Sequence, residues 1–438
     1  MPPSANALTH IYFAIRTHFE PSCIRAGGIA RVINNASRLI PYGIRFHVIA
    51  PTHEATAPEV QEHNGVQWHQ FVRGSLLGPG AEAVAEGLEF ALRLIRQNPN
   101  DSEAHLIKPC NLGPDTAKVL SRAAAEGIPS VLPLTMFPEP TNPLSLRDRF
   151  RLIRERKWFQ PIAAAHTTSN VSARAICEVA GKPSGWARVI RNGVDLRRFH
   201  PPATREEKLA TKQALGLPTD RPVALFVGGA TKRKGVDFLL DAWEQFISDH
   251  GPKAVLVMVG GSADRPGVNP SQRHDYLHFA DVFARRLKDI QGKADVRFID
   301  HQTTIETYFR AADIFVFPSR HEGLPNTVLE AMASRLTVVT TRFIGFPDEG
   351  AELGFEGQHF ISLPRDPKVW AATLADLFSN PERREAIGYA ARLWMESHQD
   401  IEHISVEAAQ YFHSLARSHR AGTLDFPSGA GDGNRTHV

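Results

Sequence analysis

The 438-residue chain is 42% apolar and 22% charged, a composition typical of a globular protein with two or three domains. Its 50 Lys and Arg residues nearly balance 47 Asp and Glu residues, which excludes a global charge that would attract nucleic acid. No apolar run approaches the roughly 20 residues of a membrane span, and no secretory signal is visible. Cys23, Cys110 and Cys177 lack the spacing of a disulfide framework or a thiolate zinc site. These features predict a cytoplasmic protein.

The first part of the chain alternates short β-rich runs with segments whose apolar residues recur every three or four positions. Strands alternating with helices predict a parallel sheet with helices on both faces, which is a doubly wound α/β layer. The predicted strands are 11–16, 46–51, 66–71, 105–109, 130–135, 164–169 and 189–191, and the predicted helices are 29–39, 81–96, 115–125 and 171–179.

A second α/β layer is predicted after a segment rich in Pro and charge between residues 199 and 222. Ligands bind at the carboxyl ends of strands in such sheets, so function is expected in a cleft between two sheets. The predicted strands are 223–228, 254–260, 296–299, 314–318, 337–341 and 359–363, and the predicted helices are 236–247, 279–288, 304–311, 324–333, 368–378, 383–396 and 401–417.

These elements predict an N-terminal domain over residues 1–198 and a C-terminal domain over 199–395. A helix over 396–420 is expected to pack back on the first domain. The tail, 421–438, has several Gly and few apolar residues, so it is predicted to be disordered.

Two glycine-containing loops follow the first predicted strand of each domain. Gly27-Gly28 precedes a predicted helix, so its N–H groups either face an anion or form a flexible turn. In the second domain Lys232, Arg233 and Lys234 precede Gly235 and a helix. A helix N-terminus repels a cation unless an anion shares the site, which favours an anion-binding role for Lys234; Lys232 is interpreted as solubilising. Neither loop continues as Gly-x-Gly-x-x-Gly, which counts against a dehydrogenase.

The strongest motif, Pro-Ser-Arg-His-Glu-Gly-Leu-Pro-Asn-Thr-Val-Leu-Glu-Ala-Met, begins at Pro318 as a buried strand ends. Glu322 is expected in the loop, and Pro325 fits the first turn of a helix that carries Glu330. The apolar stripe of that helix predicts that Glu330 points away from the core. Singly, Glu330 would be an ordinary exposed residue and Glu322 a favourable carboxylate near a helix N-terminus.

Taken together, four segments resemble glycosyltransferase family 4. They are Gly27-Gly28-Ile29; Arg191-Asn192-Gly193-Val194-Asp195 with Phe199 and Pro201; Gly228 with Lys234-Gly235-Val236-Asp237; and Glu322 to Glu330 in Glu-x7-Glu spacing. The resemblance covers most of residues 10–395 and is most specific over 314–348. It implies the GT-B fold, with two facing Rossmann-like, doubly wound parallel-sheet domains, and a retaining enzyme that uses a nucleotide diphosphate sugar. In this fold the N-terminal domain would be on the acceptor side and the C-terminal domain on the donor side. The Glu-Gly-Leu-Pro-Asn form is similar to members that build lipopolysaccharide and exopolysaccharide.

The resemblance also implies roles for particular residues. Glu322 would lie beside the hexose and diphosphate of the donor, and Glu330 would accept hydrogen bonds from the ribose. Lys234 would neutralise the diphosphate, and Gly27-Gly28 would close on it from the opposing domain. The remaining implied donor-binding residues are Gly323, Leu324, Pro325 and Asn326, of which the first two would offer N–H groups. A departing diphosphate gains charge that such cations and donors stabilise, so no metal and no further cofactor is expected.

The sequence departs from the family pattern at two places. Gly229 stands where the family usually has Arg, and Arg233 is the expected replacement, as in some lipopolysaccharide transferases. In the first domain Thr135 or Met136 stands where the family commonly has a His near the reacting sugar, with Glu139 as a speculative polar replacement. These departures keep two alternatives open: a catalytically silent nucleotide-sugar-binding or scaffold protein on this fold, and a nucleotide-sugar epimerase.

One basic segment suggests a further contact. Between residues 146 and 158 Arg and Lys flank an apolar stripe, a pattern of a helix lying on an anionic membrane surface or of a solvated face over the core. The sequence therefore predicts a hexosyltransferase acting on a glycan, lipid-linked or small-molecule acceptor, with peripheral membrane contact as one hypothesis.

Overall fold

The computed structural model describes residues 8–15, 35–52, 60–72, 80–97, 100, 103–134, 155–261 and 270–420. Its strands are β1 (Thr9–Ala14), β2 (Ile44–Thr52), β3 (Val60–His63), β4 (Val66–Val72), β5 (Ala104–Pro109), β6 (Val131–Leu134), β7 (Ala164–Thr167), β8 (Ala187–Val189), β9 (Val223–Val227), β10 (Val255–Val259), β11 (Val296–Ile299), β12 (Ile314–Phe317), β13 (Thr337–Thr341) and β14 (Ile361–Leu363).

The α-helices are α1 (Gly80–Gln97), α2 (Pro114–Ala125), α3 (Asn170–Ala180), α4 (Arg205–Ala214), α5 (Val236–His250), α6 (Pro270–Gln291), α7 (Glu306–Ala311), α8 (Asn326–Ala333), α9 (Pro367–Ser379), α10 (Pro381–His398) and α11 (Ile401–Arg420). Polar caps explain several starts: Ser169, Thr204 and Asp366 each accept a hydrogen bond from a first-turn N–H of α3, α4 and α9.

The chain forms two compact units. Unit 1 comprises Met1–Arg191 and Glu402–Val438, and unit 2 comprises Asn192–Ile401. The division thus falls after Arg191 instead of after residue 198, because Val194 exchanges backbone hydrogen bonds with Gln399 and Ile401 and is buried in the core of unit 2. Likewise residues 396–398 complete α10, so the second crossing falls after Ile401 and not after residue 395.

Unit 1 is built on parallel strands in the order β4-β2-β1-β5, with β3 added antiparallel at the edge. A second sheet, β6-β7-β8, is connected to β5 by a bridge between Ile107 and Ser130. The helix α11 belongs to this unit because Phe412 is buried in the core on one face of the sheet. The Nδ1 of His413 lies 2.6 Å from Thr9 Oγ1, and its Nε2 lies 2.8 Å from the carbonyl of Tyr42.

Unit 2 is a parallel sheet in the order β11-β10-β9-β12-β13-β14. Every residue of β9, β10 and β12 is buried, as expected for a parallel sheet with helices on both faces. Alternate residues supply two cores: Leu225 and Phe315 face one side, and Phe226 and Val316 face the other.

The strand order of unit 2 reverses between β9 and β12. The chain runs outward from β9 through β10 to β11 and then returns to place β12 on the other side of β9. In open α/β sheets ligands bind at such a reversal, outside the carboxyl ends of the two strands. Two loops meet there: residues 228–235 after β9 and residues 318–325 after β12.

The described helices include none that is long and apolar enough to cross a bilayer. Of the basic segment 146–158, residues 146–154 lie outside the described residues, and Trp158 lies in a 3-10 helix spanning Arg156–Phe159. The predicted tail, 421–438, and most of the predicted helix 29–39 also lie outside them.

Candidate active site in unit 2

A glycine brings the two loops together. Gly235 has φ +72° and directly precedes α5, and a Cβ at this position would lie 2.0 Å from the carbonyl oxygen of Pro318. A side chain is therefore excluded, and the backbone of the first loop lies directly against the second. The N–H of Arg320 donates to the carbonyl of Arg233 over 2.8 Å, which fixes Arg233 and Lys234 beside the second loop.

One carboxylate oxygen contacts side chains from both loops. Glu322 Oε1 accepts from Arg233 Nη1 at 2.7 Å, lies 2.8 Å from Lys234 Nζ, and accepts from Ser319 Oγ at 2.7 Å. Glu322 is only 7% exposed and Ser319 is fully buried. The structure thus brings Arg233, Lys234 and Glu322 into one cluster, although Glu322 is far from the other two in sequence.

The side chain of Lys234 is largely shielded from solvent. Its ammonium lies 4.9 Å from the centre of the Phe317 ring, and its side chain is 15% exposed. Burial lowers the pKa of Lys234, Glu322 opposes that shift, Arg233 adds to it, and Glu330 opposes it more weakly. An anion arriving next to Lys234 would raise its pKa again, because it would favour the charged ammonium.

Glu330 is buried, with 3% exposure, so it is not the ordinary exposed helix residue that its position would suggest if taken singly. The apolar stripe of α8 is buried as expected, but Leu329 and Ala333 on other sides of the helix are buried too. The helix is therefore enclosed on nearly all sides. Glu330 is buried because of the elements around α8, and the spacing of apolar residues along the helix does not indicate this. Its charge acts on Lys234, which places both groups in the same region.

The segment between the two glutamates presents polar groups. Among the hydrogen bonds of the described residues, none has the N–H of Gly323 or Leu324 as its donor. Within the same residues Asn326 Oδ1 and Thr327 Oγ1 are buried without a hydrogen-bond partner. Pro325 precedes α8 as its N-cap, and Leu324 accepts a hydrogen bond from Asn192 Nδ2 at 3.0 Å. Buried polar groups normally have partners, so these groups suit a bound polar ligand.

Other predicted positions cannot be compared with the structure. Gly27, Gly28, Thr135, Met136 and Glu139 lie outside the described residues. No group of three His, Cys, Asp or Glu side chains placed to hold a metal ion occurs in the described ranges.

Comparison with known proteins matches residues 207–394 to the family model "Glycosyl transferases group 1". The match lies within unit 2 and covers most of it. The matched range contains Lys234, Glu322 and Glu330.

A curated relative, "D-inositol 3-phosphate glycosyltransferase 2" of Catenulispora acidiphila, is 31% identical over 266 residues. The alignment covers 58% of this chain and 56% of the relative, so the chain spans little more than half the length of the curated relatives it matches.

Solved structures resemble nearly the whole chain. Sucrose-phosphate synthase from Thermosynechococcus elongatus has a TM-score of 0.72 at 19% identity, over 94% of this chain and all of that one. Anabaena Alr3699/HepE in complex with UDP-glucose has a TM-score of 0.65 at 17% identity, over 93% of this chain and all of that one. These matches confirm the predicted α/β fold of GT-B glycosyltransferases, with two Rossmann-like domains.

Sequence reasoning gave no role to Ser319, whose hydroxyl contacts Glu322 in this domain. The only signal was its place directly after Pro318, the residue that follows β12. A serine in a loop is an ordinary residue, and only the folded structure shows that its hydroxyl meets the glutamate.

Proposed function

We propose that the protein is a retaining glycosyltransferase that moves a hexosyl group from a nucleotide diphosphate sugar to an acceptor. The single observation that carries this proposal is the cluster in which Arg233 and Lys234 converge on Glu322 at the β9–β12 reversal. The neighbouring N–H groups of Gly323 and Leu324 are available there for phosphate oxygens.

The chemistry follows from the charges. When the bond between the sugar and the diphosphate breaks, negative charge grows on the departing phosphate, and preorganised cations stabilise it more than they stabilise the ground state. Lys234 and Arg233 supply two such cations without a metal. Glu322 would then contact the donor sugar. Glu330, which lies about one turn from the start of α8, would accept hydrogen bonds from the ribose.

The acceptor is a separate part of the proposal. We propose a glycan, lipid-linked or small-molecule acceptor, with a role in cell-surface polysaccharide or glycolipid synthesis as members of family 4 have. The names of two similar proteins mention inositol 3-phosphate and sucrose phosphate, so small phosphorylated acceptors belong in the acceptor screen. UDP-glucose, bound in one structural neighbour, is the first donor to try.

A thermal-shift panel of UDP, GDP, ADP and dTDP with their sugars tests the donor. A ligand at about 100 times its dissociation constant stabilises the folded protein by ~2.7 kcal/mol. Lys234→Ala should reduce the shift, whereas Lys232→Ala is the matched control, because Lys232 lies two residues away with an exposed side chain. No shift with any nucleotide would contradict the proposal.

Turnover separates the proposed transferase from the two alternatives on this fold. A transferase consumes donor only when an acceptor or water receives the sugar, and it releases nucleoside diphosphate. Conversion of the nucleotide sugar to its epimer with no diphosphate released would indicate an epimerase. Nucleotide binding without any turnover would indicate a binding protein.

A further inference from the structure

The side-chain contacts of Glu322 are unequal in kind. Arg233 and Lys234 are cations, and Ser319 is a neutral hydroxyl, yet all three meet the same oxygen, Oε1. The Ser319 hydroxyl has one proton and two acceptors in reach: Glu322 Oε1 at 2.7 Å and the Arg233 carbonyl at 3.1 Å. The hydroxyl donates its hydrogen bond to the carboxylate, which is charged and nearer, because hydrogen bonds to ionised acceptors are shorter and stronger.

A diphosphate would change this arrangement, and this step rests on the proposed function. A nucleoside diphosphate carries more negative charge than one carboxylate, so it competes for both cations. Arg233 has the most exposed side chain of the cluster, at 37%, and its Nη1 also donates to the carbonyl of His321 at 2.8 Å. Glu322 would then lose some or all of its two cationic partners at the moment when it must face the sugar.

The Ser319 hydroxyl keeps its hydrogen bond to Glu322 when a diphosphate binds. Ser319 is fully buried, carries no charge, and lies in a fixed backbone: its carbonyl accepts from Arg365 Nη2 at 2.8 Å and from the hydroxyl of Thr341. The N–H of Glu322 donates to the carbonyl of Ile344 over 3.1 Å, which fixes the glutamate backbone as well. The hydroxyl therefore stays at Oε1 while the cations exchange partners.

We propose that Ser319 is a positioning residue that keeps the Glu322 carboxylate oriented when the donor diphosphate draws Arg233 and Lys234 away. Its hydroxyl occupies Oε1 and so presents Oε2 to a hydroxyl of the donor sugar. Ser319 itself touches no substrate and acts only through Glu322.

Steady-state kinetics of Ser319→Ala test this role, with release of nucleoside diphosphate as the readout. Loss of one hydrogen bond to a charged group should lower kcat by roughly 10- to 100-fold, while KM for the donor changes less than about threefold. Ser319→Thr, which keeps the hydroxyl, should restore most of kcat. Ser334→Ala is the matched control: Ser334 is also buried in unit 2, its hydroxyl has no partner among the described residues, and kcat should not change.

A double-mutant cycle with Glu322→Ala separates positioning from a general structural effect, because Ala removes the acceptor of the Ser319 hydroxyl. If Ser319 acts through Glu322, Ser319→Ala should change kcat by less than about twofold in the Glu322→Ala background. Equal losses of kcat in both backgrounds would overturn the inference, as would an unchanged kcat in Ser319→Ala alone. The nucleotide-induced thermal shift should persist in Ser319→Ala; a wild type with no such shift would instead overturn the proposed function and this inference with it.

Discussion

A chain of histidines in unit 1 predicts that this unit loses stability in mild acid. His10 Nδ1 lies 2.8 Å from His47 Nε2, and His47 Nδ1 lies 3.0 Å from His69 Nε2. The other nitrogen of His10 lies 3.0 Å from the carboxylate of Glu103. If all three rings are neutral, each Nε2–H donates toward the next acceptor and the chain ends on Glu103. Tyr12 stacks on His47 with ring centres 4.4 Å apart.

The surroundings oppose a positive charge on these rings. Burial, with smaller contributions from the nearby His10, His69, His105 and Arg45, lowers the pKa of His47 to about 2. Burial alone lowers the pKa of His69 to about 4. Burial also lowers the pKa of His10, although Glu103 opposes that shift.

The sign and size of the effect follow from linkage. In the folded state His47 and His69 have pKa values below the value of about 6.5 in an unfolded chain. The unfolded state therefore binds more protons than the folded state below that pH. Stability is therefore complete above pH ~6.5 and is lost as the pH falls. Between pH 7 and pH 5, His47 and His69 each remove about 2 kcal/mol, or about 4 kcal/mol together, from the free energy of unfolding of unit 1.

Pulse proteolysis in urea at pH 5 to 8 measures this loss, with mass spectrometry to follow fragments of unit 1 separately. In His47→Gln the loss between pH 7 and pH 5 should shrink to about half, because one titrating group is gone. His63→Gln is the matched control, since His63 is exposed on β3 and should leave the pH dependence unchanged. The same pH dependence in wild type and His47→Gln would refute the reasoning.

Three further predictions concern stability and metal dependence. Asp313→Ala should lower the free energy of unfolding of unit 2 by ~3–5 kcal/mol, measured by urea denaturation, because Asp313 is the partner of Lys208 and of the buried Lys212. Lys108→Met should raise the melting temperature at pH 7, since burial among aromatic rings lowers the pKa of Lys108 to about 7; a lower melting temperature would contradict this. Turnover should survive EDTA, because Arg233 and Lys234 supply the cationic charge; a strict requirement for added Mg²⁺ or Mn²⁺ would count against it.

The central strands of unit 2, β9, β10 and β12, could be predicted from the sequence because they are short unbroken runs of apolar residues. Helix α4 was missed, since its segment is dominated by charge and its few apolar residues give no clear stripe. Strand β3 was missed for a similar reason: it is an exposed antiparallel edge with only one fully apolar side chain. The spacing of apolar residues indicates an element only where one of its faces is buried, and α4 and β3 bury few apolar side chains.

The candidate site shows a different limit. The resemblance named Lys234 and Glu322, but no local pattern shows that their side chains meet, because the contact depends on β12 lying beside β9. The spacing of apolar residues in α8 also did not predict the burial of Glu330, because neighbouring elements enclose this helix on several sides. The contact of Ser319 with Glu322 likewise depends on how the loop after β12 folds.

Steady-state kinetics of Lys234→Ala, Glu322→Ala and Glu330→Gln, with a donor found in the nucleotide panel, test the central claim most directly. Lys234 and Glu322 should act as the glycosidic bond breaks, so each variant should lower kcat by roughly a hundredfold or more. Glu330→Gln keeps the buried volume and alters a ribose contact present in ground and transition states alike, so KM should rise while kcat changes little. Near wild-type kcat in folded Lys234→Ala and Glu322→Ala would contradict the account.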